Sequence, residues 1–96
     1  MAEPMDSLKT MLKTDLGISS TAYDERLGQY ITSAKAEIER EGVTFPSTLT
    51  VDDMQLIVMY AAWMWRRRDD MSGMPRMIRY ALNNRIFSQK MKEEET

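Results

Sequence analysis

A run of ten apolar residues in the second half of the chain sets the strictest limit on its fold. The run occupies residues 56–65 and reads LIVMYAAWMW. It is about half the length of a membrane-spanning helix, which needs roughly 20 apolar residues. No charged residue interrupts it, so a helix built from it has no side suited to water. The run therefore predicts a central buried helix that other helices must cover.

The segment before this run predicts two amphipathic helices. In the first, apolar residues recur at helical spacing over residues 5–16, and Gly17 follows where a glycine cap is expected. The second is expected to begin at about Thr21, because Thr21 and Asp24 have the spacing of a capping box. Its apolar stripe continues to Gly42, which ends the pattern. These two helices supply apolar faces that can pack against part of the central helix.

The central helix and the one after it complete the predicted fold. Thr50 repeats the capping-box spacing and opens the central helix, and Pro75 suits the first turn of a fourth helix. The residues after Phe87 have no periodic apolar face and predict a mobile tail. We therefore expect an all-α fold, a compact bundle of about four helices with a flexible C-terminal tail. Residues 1–90 form a single domain in this prediction, and residues 91–96 form a disordered acidic tail.

Composition argues against catalysis. The chain has no cysteine and no histidine, so it lacks thiolate nucleophiles and the commonest general base and metal ligand. Its adjacent acidic pairs, at residues 52–53 and 69–70, point in different directions on a helix and suit capping better than acid–base chemistry. We expect no enzyme activity, no cofactor and no metal site. The acidic N-terminus has no signal-peptide pattern, so a cytosolic protein without membrane contact is expected.

The charges are divided unevenly along the chain. Residues 1–65 hold five Lys or Arg against ten Asp or Glu, whereas residues 66–92 hold eight against two. A molecule with an acidic half and a basic half attracts the opposite half of a second copy. The charge pattern therefore predicts head-to-tail association of identical molecules.

The basic region is also rich in residues that protein interfaces favour, namely arginine, the aromatics and methionine. The central helix is apolar on every side, and we expect part of it to be buried only when a second chain arrives. The alternative is a central helix covered by its own neighbours, with both tryptophans in the core, the methionines filling gaps and the arginines complementing the helix dipole. The candidate interface residues are Trp63, Trp65, Arg66, Arg67, Arg68, Met71, Met74, Arg76, Arg79 and Tyr80.

Residues 56–90 carry a family resemblance. They read LIVMYAAWMWRRRDDMSGMPRMIRYALNNRIFSQK, and the most specific elements are YAAW-x-W-R-R-R followed by GMPRM-x-RYALNNR. The preceding helices contribute YDERL and AKAEIEREGV. With these motifs the chain resembles the small head-tail connector proteins of long-tailed phages, which are often encoded by bacterial prophages. The resemblance covers roughly residues 8–90.

The resemblance implies a structural adaptor. Such a subunit forms a homo-oligomeric ring beneath the portal protein and joins the DNA-filled head to a stopper or tail-completion protein. DNA passes through the ring without sequence-specific binding. The implied location is the virion, at the head-tail interface, with assembly in the cytoplasm of the bacterial host. The segment implied to dock on the portal comprises Ile86, Phe87, Ser88, Gln89, Lys90, Met91 and Lys92.

A small helical DNA-binding protein of phage origin is the alternative. It would use the arginines at 66–68, 76 and 79 on phosphates and Trp63 or Tyr80 for stacking. The acidic first half and a sequence pI of about 5.1 count against it.

The two functions differ in how they respond to salt. We expect an adaptor to show only weak, nonspecific attraction to duplex DNA in an anisotropy titration. A DNA-binding protein would bind tightly at low salt and lose affinity steeply as salt rises, with a logarithmic slope of about −0.9 per neutralised phosphate. Tight binding with such a slope would contradict the adaptor.

Overall fold

The structure, a computed structural model, describes residues 4–67 and 73–95. Within these ranges the backbone forms four α-helices and no strand, and the predicted all-α class is confirmed. The helices are α1 (Pro4–Leu16), α2 (Asp24–Arg40), α3 (Val51–Arg66) and α4 (Arg76–Glu95). In the described part of the chain, no helix is both long enough and apolar enough to cross a membrane.

Helix α3 lies at the centre and packs against each of the other three helices. Its apolar run is buried almost completely, by α1 and α2 on one side and α4 on the other. The expectation that α3 needs a second chain for its burial is therefore wrong, because three short helices are enough to cover it. Its buried residues are Asp53, Leu56, Ile57, Val58, Tyr60, Ala61, Ala62 and Trp65.

Local signals fix most of the helix ends. Gly17 has a positive φ of 73°, and the amide of Ile18 donates to the Lys13 carbonyl at 2.9 Å, which is a Schellman ending for α1. At the start of α3, the Thr50 hydroxyl accepts a hydrogen bond from the Asp53 amide at 3.1 Å. The predicted capping box at Thr21 is wrong, since α2 begins three residues later, at Asp24, without a side-chain cap.

Trp65 lies in the core. Its ring makes edge contacts with Tyr23 and Tyr30, with centroid distances of 5.6 and 5.4 Å, and these two contacts join the end of α3 to α2. This corrects the prediction that placed Trp65 among the interface residues. The reason is steric, because Trp65 falls on the side of α3 that the two tyrosines enclose.

Helix α4 is longer than the sequence pattern predicts. It continues to Glu95, whereas we expected an irregular tail after Phe87 and a disordered segment at residues 91–96. Residues 88–95 contain no glycine or proline and consist mainly of strong helix formers. Gln89 also binds the connector between α2 and α3, so the second half of α4 has a tertiary contact that periodicity does not reveal.

Replacing Trp65 with alanine should lower the free energy of unfolding by about 3 to 5 kcal/mol, because a buried indole and two aromatic contacts are lost. Tyr80→Ala is the matched control. Its ring is mostly exposed, so the loss should stay within about 0.5 kcal/mol. Chemical denaturation of both variants measures the difference, and equal losses would contradict the core position of Trp65.

Candidate protein-interaction surface on the last helix

Helix α4 has two apolar faces, and only one of them is packed. Ile78 and Leu82 are buried against α3, and Ile86 packs partly against the same core. These positions lie four residues apart and therefore fall on one side of the helix. This inner face attaches α4 to the bundle and leaves the opposite side turned to solvent.

The opposite side carries a line of large exposed side chains. Met77, Tyr80, Phe87 and Met91 are 74, 59, 65 and 45% exposed, and their spacing of three, seven and four residues places them on one face. We call these four residues the outer stripe. Only two other large apolar or aromatic residues in the described ranges are comparably exposed, Tyr23 and Val51. Contiguous exposed apolar surface on a small protein marks an interaction site more often than isolated residues do.

A polar network fixes the rotation of α4 about its axis. Arg85 donates from Nε to Asp53 at 2.7 Å and from Nη2 to the Thr44 carbonyl at 2.9 Å. Gln89 accepts from the Thr44 amide at 2.8 Å and donates to the Gly42 carbonyl at 3.1 Å. These bonds hold one side of α4 against α3 and its preceding connector, so the outer stripe cannot turn inward without breaking them.

Asp53 is the charged residue that this network depends on. Its side chain is 5% exposed and that of Arg85 is 22% exposed, so both are largely withdrawn from water. Removing either partner leaves the other charge desolvated without its counterion. A second ion pair, Arg79 with Glu41 at 2.6 Å, joins α4 to the end of α2 near the surface.

Several predicted interface residues contact other parts of their own chain. Arg66 pairs with Asp15 of α1 at 3.2 Å, and the Arg67 guanidinium lies over the Trp63 ring at 4.6 Å from its centroid. Trp63 is half-buried and also meets Tyr60 edge-on at 5.3 Å. Burial raises the pKa of Tyr60, and the carboxylates of Glu37 and Glu41 raise it further. These contacts hold the end of α3 against its own chain, and the Arg66 side chain stays 59% exposed.

The remaining predicted residues divide between the core and the outer side of α4. Met74 packs partly against the core, whereas Arg76, Arg79 and Tyr80 are exposed. Arg68 and Met71 lie outside the described residues. Of the predicted portal-docking segment, Ile86 and Gln89 contact other parts of their own chain, and the exposed members are Phe87, Ser88, Lys90, Met91 and Lys92.

Met77 is not among the interface residues that the sequence analysis predicted. The spacing signal was present, because Met77, Tyr80, Phe87 and Met91 follow the a and d positions of a heptad. It was hidden because a second apolar pattern, through Ile78 and Leu82, overlaps it on the same helix. Two overlapping patterns predict a helix with two partners, one on each side.

The fold and this surface define a small all-α protein with an unpaired apolar helix face. No protein-family model matches the chain, and no curated protein or solved structure is significantly similar to it.

The Arg85–Asp53 pair gives a direct test of how α4 is held. Asp53→Ala should lower the free energy of unfolding by about 2 to 4 kcal/mol, because Arg85 stays partly buried without its carboxylate. Asp52→Ala is the matched control, because Asp52 is exposed and also lies in the first turn of α3. Its substitution removes the same interaction with the helix dipole, worth about 0.3 to 1 kcal/mol. Urea denaturation measures both, and equal losses would show that Asp53 acts only on the helix dipole.

Proposed function

We propose that the chain is a head-tail connector subunit of a tailed phage or prophage. In this function it forms a ring below the portal protein and links the DNA-filled head to the stopper or tail. The outer stripe of α4 is the observation that carries the proposal. It lies in the segment where the sequence resemblance is most specific, GMPRM-x-RYALNNR and the residues that follow.

The composition of the outer stripe supports a protein partner. Aromatic and methionine side chains form its centre, and Arg76 and Lys90 lie at its edge, which matches the apolar core and polar rim of protein interfaces. The side chains belong to a regular helix with a fixed rotation. A rigid surface loses little conformational entropy when it associates, which favours a permanent structural contact.

The charge distribution supports assembly from identical subunits. From Arg76 to Lys92, α4 contains five basic and no acidic residues, whereas the first three helices carry an acidic excess. Two of those basic residues, Arg79 and Arg85, are neutralised within the subunit, and Arg76, Lys90 and Lys92 make no ion pair within the described residues. Unpaired cations on one side and unpaired carboxylates elsewhere favour a heterologous contact, which closes into rings when the rotation permits.

The portal contact is proposed for the exposed part of the predicted docking segment. Phe87, Ser88, Lys90, Met91 and Lys92 point to solvent on the second half of α4. Ile86 and Gln89 support that half from within the subunit and are not available to a partner. DNA passes through the ring in this proposal, and no base-specific contact is needed.

The mass of the protein, measured by sedimentation over a wide concentration range, tests the proposal. The measurement is repeated with the portal protein encoded by the same genome. We expect a closed ring, formed either alone or on the portal. A monomer at every concentration that ignores the portal would contradict the function.

A pair of variants ties the assembly to the outer stripe. Tyr80→Asp should weaken assembly at least tenfold, because it places a charge within the apolar stripe. Val51→Asp is the control, since Val51 is equally exposed but lies at the start of α3, away from the stripe.

A further inference from the structure

The outer face of α2 has features that match the outer stripe. This face consists of exposed residues that are small or polar in the middle and acidic at both ends. Glu25 and Glu39 are the acidic ends, and neither makes an ion pair within the described residues. The whole set is Glu25, Gln29, Thr32, Ser33, Ala36 and Glu39. No helix or connector in the described ranges covers this face.

A groove opens beside it, between α2 and α3. The groove has a volume of about 220 Å³, and its α2 wall is formed by Arg26, Gln29, Tyr30 and Ser33. Positions i, i+3, i+4 and i+7 on one helix are the four that form a hole for an incoming side chain. A cavity of about 150 Å³ accepts benzene, so this groove has room for a phenyl ring. Arg26 makes no ion pair within the described residues and can stack on such a ring.

The charges on the two helices have the same spacing. Arg76 and Lys90 on α4 lie fourteen positions apart, and so do Glu25 and Glu39 on α2. At 1.5 Å per residue, each pair spans about 21 Å. If α4 of one copy lies along α2 of another, both cations can therefore meet a carboxylate at the same time.

The edges that carry these charges determine the direction of the two helices. With Met77 and Met91 at heptad position a, and Tyr80 and Phe87 at d, Arg76 and Lys90 occupy position g. Glu25 and Glu39 occupy the corresponding edge of the outer face of α2. Two facing helices bring their g edges together only when they run antiparallel. In that arrangement Arg76 faces Glu39 and Lys90 faces Glu25.

The same register brings Phe87 level with Gly28 and Tyr80 level with Lys35, since it matches residue 76 with 39 and 90 with 25. Level 28 lies within residues 26–33, which form the α2 wall of the groove of about 220 Å³. Two copies of α4 packed symmetrically and antiparallel would instead place Arg76 beside Lys90, which is a repulsive contact. Charge thus favours α2 over a second α4 as the surface that α4 meets.

We propose that copies of this chain associate head to tail, with the outer stripe of α4 lying antiparallel on the outer face of α2 in the next copy. Phe87 inserts into the groove between α2 and α3. Arg76 pairs with Glu39 of the neighbouring copy, and Lys90 pairs with Glu25. This contact deepens the proposed function by identifying the two surfaces that join in the ring, and it rests on the self-association part of that function.

Charge reversal tests the register. Arg76→Glu and Glu39→Arg should each weaken self-association roughly tenfold in sedimentation at low salt, because each replaces an attraction with a repulsion. The double variant Arg76→Glu with Glu39→Arg should return to within about threefold of the natural protein. The control pairs the wrong positions, Arg76→Glu with Glu25→Arg, and should assemble worse than either single variant. Rescue by the control instead would overturn the antiparallel register.

A mixing experiment tests whether the contact joins two different surfaces. Phe87→Ser removes the inserted ring, and Ser33→Trp fills the groove. Both positions are exposed, and circular dichroism checks that both variants fold. Neither variant should assemble alone. An equimolar mixture should stop at a dimer, because one intact α4 meets one intact α2. If Ser33→Trp alone still assembles like the natural protein, or the mixture stays monomeric, the proposed contact is overturned.

The outcomes separate this contact from the proposed function. A natural protein that forms rings that none of these variants weakens would overturn the contact and keep the function. A natural protein that stays monomeric but binds the portal through Phe87 would also overturn the contact and keep the function. The portal would then be the partner of the outer stripe. A monomer that ignores the portal would overturn both.

Discussion

The ion pair between Arg85 and Asp53 is the interaction on which the rest of the arrangement depends. Helix α4 is the least embedded element, since it packs on α3 through a narrow apolar line at Ile78, Leu82 and Ile86. A narrow line leaves the rotation of a helix weakly determined. The buried carboxylate of Asp53 removes that freedom, because Arg85 must reach it, and Gln89 then reaches Gly42 and Thr44 from the next turn. The position of the outer stripe follows from this anchor.

The Arg85–Asp53 ion pair also explains how a small protein keeps an apolar helix face exposed. Burying a charged pair costs desolvation energy and adds little net stability, but it raises the free energy of alternative orientations of α4. If α4 rotated to bury the outer stripe, Arg85 would leave Asp53 unpaired in the core. The core itself gains nothing from such a rotation, since Ile78, Leu82 and Ile86 already cover the side of α3 that α1 and α2 leave open. The apolar face therefore stays exposed while the chain keeps a single fold.

Much of this fold could be predicted from the sequence, and the misses have a common cause. Gly17, Thr50 and Pro75 mark helix ends by local chemistry, so those boundaries were predictable. The apolar run at residues 56–65 predicted a central helix, but whether its neighbours suffice to cover it depends on how they cross it, which no local pattern records. The buried position of Trp65 and the extension of α4 beyond Phe87 both depend on contacts between residues that are distant in the sequence. Met77 was predictable from heptad spacing, but a second pattern on the same helix concealed it.

In the proposed contact, as in the packing of α4 on α3, charged pairs determine the relative orientation of two helices that apolar contacts leave undetermined. An apolar stripe alone attracts any apolar surface, in either direction and in several registers. Like charges at Arg76 and Lys90 disfavour pairing of the stripe with itself in an antiparallel dimer, and the matching separation of Glu25 and Glu39 selects one register on α2. A contact that joins two different faces leaves a free face at each end of any chain of copies. Such a contact must either continue or close on itself, and closure into a ring satisfies every copy equally.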